Sequence, residues 1–252
     1  MTKTHRKRRS SWRDVTYSIA FIALTVSVIY LTSFSTTNEA ASPTVVVETE
    51  EEETPTPPQE IESSANQGED IKRVALTFDD GPDPIVTMQV LATLAKYDAK
   101  ATFFMLGNRV EYYPEIAKKV QEAGHELGNH SWTHPNLTKA SAEKIQSEIN
   151  ATSAIIETIT GQKATVFRPP YGAVNDTVRG QTNLPVILWD VDTLDWQHRD
   201  PNQLLTNVKS TTKDGSTILM HDIHQSTADG LDAVLAYLQS EGYTFVKFSD
   251  LK

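Results

Sequence analysis

The chain contains no cysteine. Disulfides, a thiolate nucleophile and cysteine-ligated zinc are therefore excluded, and so are the small disulfide-stapled secreted modules. The absence leaves the compartment open, because a cysteine-free chain suits either side of a membrane. Basic charge is also scarce. The 252 residues carry a formal net charge of −10, which argues against a nucleic-acid partner, since such partners require a basic footprint. The basic residues that are present crowd the beginning. Residues 1–14 hold six of the 23 Lys and Arg with one acid, leaving 17 basic against 32 acidic residues beyond them. No internal repeat is visible. The length suffices for one barrel-sized domain with additional segments.

Val15 to Phe34 ("VTYSIAFIALTVSVIYLTSF") lacks charge, Gly and Pro. As a helix it would be roughly 30 Å long, enough to cross a bilayer. The basic tail before it, residues 1–14, predicts a cytoplasmic N-terminus, with everything after Phe34 outside. A cleaved signal peptide is the alternative. Its apolar region is usually shorter and ends in an A-x-A-like site, to which "STTNEAAS" is a poor match. An uncleaved single-pass membrane anchor over 15–34 is the expectation. Residues 35–70 are rich in Glu, Pro, Ser and Thr and nearly lack large apolar side chains. Such a stretch cannot bury enough surface to offset its ordering entropy, so it reads as a disordered acidic spacer.

From residue 71 to 252 short apolar runs alternate with amphipathic stretches. Strands are predicted at Arg73–Phe78, Ala101–Leu106, Glu126–Asn129, Thr165–Phe167, Pro185–Val191, Thr217–Met220 and Thr244–Phe248. Helices are predicted at Ile85–Tyr97, Pro114–Ala123, Ala142–Thr160, Pro201–Thr212 and Ala228–Ser240. Ile145, Ile149, Thr152, Ile156 and Ile159 recur on one helical face, as do Leu231, Val234, Leu235 and Leu238. This alternation predicts an α/β fold with a parallel sheet, open or closed into a barrel. In such folds the site lies at the C-terminal strand ends.

The strand ends carry the chemistry. The first ends in Asp79-Asp80, the third in "HSWTH" (His130 to His134), the fourth in "RPPY" (Arg168 to Tyr171), the fifth in "DVDTLDW" (Asp190 to Trp196), and the sixth in "LMH" with His221. Two imidazoles and a carboxylate, with positions left for water, make a catalytic zinc-type site. The same set accepts Fe(II), Mn or Co, and zinc is preferred because nothing signals a redox partner. Adjacent aspartates repel unless something neutralises them. One can ligate a dication, and Arg168 can pair with the other. Asp195 beside His221 favours the imidazolium, which can then act as a general acid. Trp196 and Leu219 read as core residues or as walls of an apolar pocket. Asp192 receives no role, and His224 reads as a loop or helix-start histidine.

"TFDDGP", "HSWTH", "RPPYG", "DTLDW" and "LMH" resemble, in order and separation, the five motifs of the polysaccharide deacetylases, the NodB-homology group or carbohydrate esterase family 4. The resemblance covers about residues 71–252 and implies a distorted (β/α) barrel with fewer than eight complete units. It implies hydrolysis of N-acetyl groups on a sugar polymer. Carried over residue by residue, it makes Asp79 the general base, oriented by Arg168. Asp80, His130 and His134 become ligands of one divalent metal. The backbone N–H of Tyr171 helps hold the oxyanion, His221 is the general acid tuned by Asp195, and Trp196 and Leu219 border the acetyl pocket. With an anchor, the resemblance implies a bacterial cell-membrane enzyme acting on peptidoglycan outside the cell. Some relatives acting on N-acetylmuramic acid replace the metal aspartate; Asp80 is present here, which implies N-acetylglucosamine. Poly-N-acetylglucosamine or chitin oligomers, O-acetyl xylan and a non-catalytic wall-binding role are the alternatives. No protein partner is indicated.

Overall fold

The computed structural model describes residues 71–251. The tail 1–14, the anchor 15–34 and the spacer 35–70 expected from the sequence lie outside the described residues. Among the described residues, no helix is long and apolar enough to cross a membrane.

Strand β1 (Lys72–Asp79) organises the sheet. Its run Val74-Ala75-Leu76 is fully buried, and so is Phe78. Such a continuous apolar strand requires cover on both faces, as a parallel sheet provides. β6 (Ser216–His221) pairs with one edge of β1 from Val74 to Asp79. A strand has only two edges, so β7 (Tyr243–Val246) and β2 (Thr102–Met105) share the other. β7 takes Lys72 to Ala75, and β2 takes Thr77 to Asp79. β3 (Glu126–Asn129) and β4 (Val166–Phe167) extend outward from β2, and β5 (Val191–Asp192) flanks β6. Every pairing is parallel.

The predicted strand Pro185–Val191 is divided. Its first part pairs with β4: Phe167 N–H donates to the Pro185 carbonyl and Ile187 N–H to the Phe167 carbonyl, at 2.9 and 2.8 Å. Its last part pairs with β6, where Asp190 N–H reaches the Thr217 carbonyl at 2.9 Å and β5 begins. The segment thus bridges the two outer strands and closes the sheet into an irregular barrel. It is interrupted at Leu188, whose carbonyl accepts from the Arg168 guanidinium at 3.0 Å instead of from a strand.

Helices cover the sheet: α1 (Val86–Lys96), α2 (Gly107–Tyr112), α3 (Pro114–Glu122), α4 (Ala142–Thr160), α5 (Asp176–Arg179), α6 (Asp195–His198), α7 (Pro201–Thr211) and α8 (Gln225–Ser240). Their limits follow local chemistry. Ser141 Oγ accepts the Lys144 N–H at the start of α4, and Gly161, with φ 73°, ends it. Pro114 and Pro201 open α3 and α7 at the position where a missing N–H costs nothing. The predicted faces are the buried ones: Ile145, Ile149, Thr152 and Ile156 in α4, and Leu231, Val234, Leu235 and Leu238 in α8. The sequence did not signal α2, α5 or α6. Each has six residues or fewer, too short to show a period.

Inside the barrel Phe104 lies opposite Gly128 across β2 and β3. A Cβ at Gly128 would stand 2.5 Å from Phe104 Cδ1. The bare glycine gives Phe104 its place, and the Arg168 guanidinium lies 4.1 Å over that ring. Gly128→Ala should therefore destabilise the protein by about 1–3 kcal/mol. Urea unfolding measures this, and an unchanged midpoint would show that Phe104 can move aside.

Candidate active site

Five strand ends and their loops meet in one cleft of about 460 Å³. Asp79, Asp80, His130, His134 and His221 lie on its floor and sides, with Tyr171, Trp196 and Leu219 among its walls. Arg168 and Asp195 lie directly behind, fully or almost fully buried, touching Asp79 and His221. Every residue singled out from the sequence is in or against this cleft. Trp189 and Asp192 also line it. Trp189 had no motif to mark it, and it turns inward only because the segment closing the barrel does.

Asp79 ends β1 and has one oxygen occupied: Oδ1 accepts from Arg168 Nη1 at 2.7 Å. Oδ2 stands 3.6 Å from His130 Nε2. Burial pushes the Asp79 carboxyl above its ordinary value, and the Arg168 guanidinium acts against that rise. Arg168 also donates to Thr77 Oγ1 at 2.9 Å and to the Leu188 carbonyl at 3.0 Å.

Asp80 faces the two histidines. Its Oδ1 is 3.6 Å from His130 Nε2 and 3.5 Å from His134 Nε2. That oxygen is buried and accepts no hydrogen bond. His130 Nδ1 is 2.7 Å from the Arg168 carbonyl, which can only accept, so Nδ1 carries the proton and Nε2 presents a lone pair. Burial pushes the His130 imidazole down to about 3, keeping it neutral. A buried orphan carboxylate oxygen between two imidazole nitrogens fits a divalent cation, and these two nitrogens and one oxygen can hold it with positions left open. The loop joining the histidines is not helical: His134 has φ 59° and Ser131 φ 67°. Glu148, buried on α4, accepts from Trp132 N–H, Thr133 N–H and Thr133 Oγ1–H, at 2.8, 2.8 and 2.9 Å.

On the opposite wall His221 Nδ1 is 2.7 Å from Asp195 Oδ1. Asp195 Oδ2 accepts from His221 N–H and from Thr227 Oγ1–H, at 2.8 and 2.7 Å. Burial opposes charge on His221, but the hydrogen bond and charge of Asp195 prevail and raise the imidazole to about 9. Asp195 is held below the ordinary carboxylate range: burial works against this, and His221 outweighs it. His224 immediately precedes α8, as expected of a helix-start residue, and contacts the Arg199 guanidinium. Asp192 Oδ1 accepts the Leu194 N–H at 2.9 Å.

A closed parallel α/β sheet with a candidate metal centre at its C-terminal strand ends defines the class. The polysaccharide deacetylase family pattern matches residues 66–184. The chain is 47% identical to the solved peptidoglycan deacetylase PdaC of Bacillus subtilis, with a TM-score of 0.71, covering 72% of this chain and 90% of that one. The chain belongs to the polysaccharide deacetylase family. Among curated relatives, it is 47% identical over 181 residues to the peptidoglycan-N-acetylmuramic acid deacetylase PdaC of B. subtilis. It is 47% identical over 180 residues to the peptidoglycan-N-acetylglucosamine deacetylase PgdA of Listeria monocytogenes. These matches cover 72% and 71% of this chain but only 39% of either relative. Equal likeness to proteins named for the two different sugars leaves the choice of sugar to the cleft.

Two measurements follow. One zinc ion should bind per chain, and Asp80→Asn should weaken it on the order of 100-fold or more, at or beyond the upper end of losses seen for supporting residues. Competition with a chromogenic chelator reads this, and equal affinity in both proteins would remove Asp80 from the site. The second concerns pH. His221 has a raised folded value, so its contribution to stability is complete below ~6.5 and lost as pH rises to about 9. The metal-free protein should lose on the order of 2 kcal/mol across that window, and His221→Asn should flatten the loss. Parallel curves for parent and variant would show that His221 does not titrate there.

Proposed function

We propose that the chain is a metal-dependent hydrolase that removes N-acetyl groups from a cell-wall polysaccharide, and that its substrate is peptidoglycan. The observation that carries this reading is the pairing of opposites at one register level. Asp79 and His221 are partners across the parallel β1–β6 ladder. One is an acidic side chain gripped by Arg168, the other an imidazole kept protonated by Asp195. A carboxylate held by a guanidinium and an imidazole kept protonated by a carboxylate, side by side at one cleft, suit general base and general acid.

A divalent cation held by Asp80, His130 and His134, with zinc the expected ion and Co or Mn compatible, supplies Lewis-acid polarisation of the amide carbonyl. The chain's own groups do the rest. With Oδ1 engaged by Arg168, Asp79 offers Oδ2 to take the proton of the attacking water. His221 spends Nδ1–H on Asp195 and presents Nε2–H to the departing amine, which is a poor leaving group without a proton. The Tyr171 backbone is suited to help with the oxyanion. Its φ of 62° is a left-handed conformation that costs about 1–2 kcal/mol and persists only where surroundings impose it. Leu219 offers an apolar wall for the acetyl methyl. The exposed rings of Tyr171 and Trp196 offer faces on which sugar rings can stack.

Asp80 in the ligand set supports N-acetylglucosamine as the unit attacked, with N-acetylmuramic acid the competing product to be looked for. The basic tail 1–14 and the apolar stretch 15–34 support a membrane-anchored enzyme with its catalytic domain on the outer face.

Incubation with peptidoglycan, N-acetylglucosamine oligomers and acetylxylan tests the reading. Acetate should appear from an N-acetylated polymer, stop on chelation and return with Zn²⁺. Asp79→Asn should lower the rate about 10²–10⁴-fold. Mass spectra of digested peptidoglycan identify the sugar. Acetate from acetylxylan alone would replace the amidase reading with an esterase one, and a fully active Asp79→Asn protein would refute the assigned base.

A further inference from the structure

We propose that Glu148 is a positioning residue for the metal centre: from helix α4 its carboxylate fixes the turn that carries His134, and thereby sets the affinity for a divalent cation. The proposal rests on the reading of Asp80, His130 and His134 as a metal site.

Three residues separate the two histidines, and five of their six peptide N–H and C=O groups are engaged. Ser131 N–H donates to Asn129 Oδ1 at 2.8 Å, and the Ser131 carbonyl accepts Gly107 N–H at 3.0 Å. The Trp132 carbonyl accepts Asn108 N–H at 3.3 Å. The adjacent N–H groups of Trp132 and Thr133 converge on one oxygen, Glu148 Oε2, while Thr133 Oγ1–H donates to Oε1. His134 N–H donates to Ser131 Oγ at 3.1 Å. Helix α4 grips the same loop a second time, because Asn129 Nδ2 donates to the Ile149 carbonyl and to Ser153 Oγ, at 2.8 and 2.9 Å.

The turn needs that grip. Ser131 and His134 both adopt left-handed backbone, which L-residues avoid by about 1–2 kcal/mol each. No glycine relieves the strain. A carboxylate is the one side chain that can accept from two parallel backbone donors and a hydroxyl together. Glu148 is 1% exposed, and Lys144 Nζ at 2.7 Å is its counter-charge. A buried, paired acid of this kind is costly unless its hydrogen bonds are made, and here all of them are made to the ligand-bearing turn or to Lys144. His134 lacks the carbonyl partner that orients His130. Its ring instead meets Tyr171 edge-on at 4.5 Å between centroids, so its backbone is the firmer constraint on where Nε2 sits.

The test uses the full chain. Glu148→Gln keeps the size but turns an amide donor toward donors, and should weaken zinc about 10–100-fold in chelator competition. Thr133→Val removes only the hydroxyl donor and should weaken zinc by a smaller factor, about tenfold at most. Leu238→Ala, buried in α8 far along the chain, supplies a destabilised control whose zinc affinity should match the parent. In the metal-free protein, amide exchange over residues 131–134 should accelerate in Glu148→Gln and not in Leu238→Ala. Zinc affinity within roughly threefold of the parent in both Glu148→Gln and Thr133→Val would overturn the proposal, whatever their stability. Affinity loss in Leu238→Ala equal to that in Glu148→Gln would overturn it too, since general loosening would then suffice. A parent chain that binds no divalent ion would refute the metal centre itself, and the metal-free exchange rates would still decide whether Glu148 holds the turn.

Discussion

A guanidinium with no access to solvent stands at the centre of this molecule. Removing Arg168 from water costs several kcal/mol unless partners replace the water. Its partners come from across the fold: Thr77 and Asp79 on β1, the Leu188 carbonyl on the segment that closes the barrel, and the face of Phe104 on β2. Its own carbonyl receives His130 Nδ1–H. One residue, through its side chain and its carbonyl, therefore determines where the barrel seam breaks, which oxygen of Asp79 is free, and which nitrogen of His130 is bare. The adjacent aspartates face different partners. Arg168 holds Asp79, and Asp80 turns its unpaired oxygen to the two imidazoles.

The backbone around the cleft is strained in a consistent way. Seven described non-glycine residues have positive φ, and five of them are Asp80, Ser131, His134, Tyr171 and Leu194, all on loops at the strand ends. Each would relax if its surroundings released it. The surroundings include hydrogen bonds from a separate element, as from Glu148 to the His134 turn, and local ones, as from the Leu194 N–H to Asp192. The buried sheet supplies rigidity, and the loops spend some of it holding side chains where the chemistry of an acetyl group would require them. The two walls also differ electrically. Around Asp79 burial favours the neutral acid and Arg168 resists it, while around His221 the Asp195 carboxylate favours the charged imidazole. Both shifts are properties of the neighbours.

Much of this was legible in the chain. The strand–helix alternation, the buried faces of α4 and α8 and the chemistry at five strand ends all follow from local pattern, because period and side-chain type are local properties. The five short motifs sufficed for the family. The division of Pro185–Val191 was not legible, since that run reads as one strand until Arg168 claims the Leu188 carbonyl. Trp189 carries no local signal of its place in the cleft, which the seam decides. Glu148 sits beside Ile145 and Ile149 on the buried side of α4, and nothing local in the sequence marks it as the partner of Trp132 and Thr133.

By itself the sequence determined which reactive groups exist, that they fall at the same end of a parallel sheet, and that no thiol or disulfide takes part. Tertiary structure decided which atoms those groups present. Asp79 is left with Oδ2, His130 with Nε2 and His221 with Nε2, because partners many residues away occupy the other atom in each case. A residue type carries its chemistry wherever it stands, but a hydrogen bond needs two atoms within about 3 Å. Only the registered sheet brings residues from positions 79, 130, 168 and 221 that close.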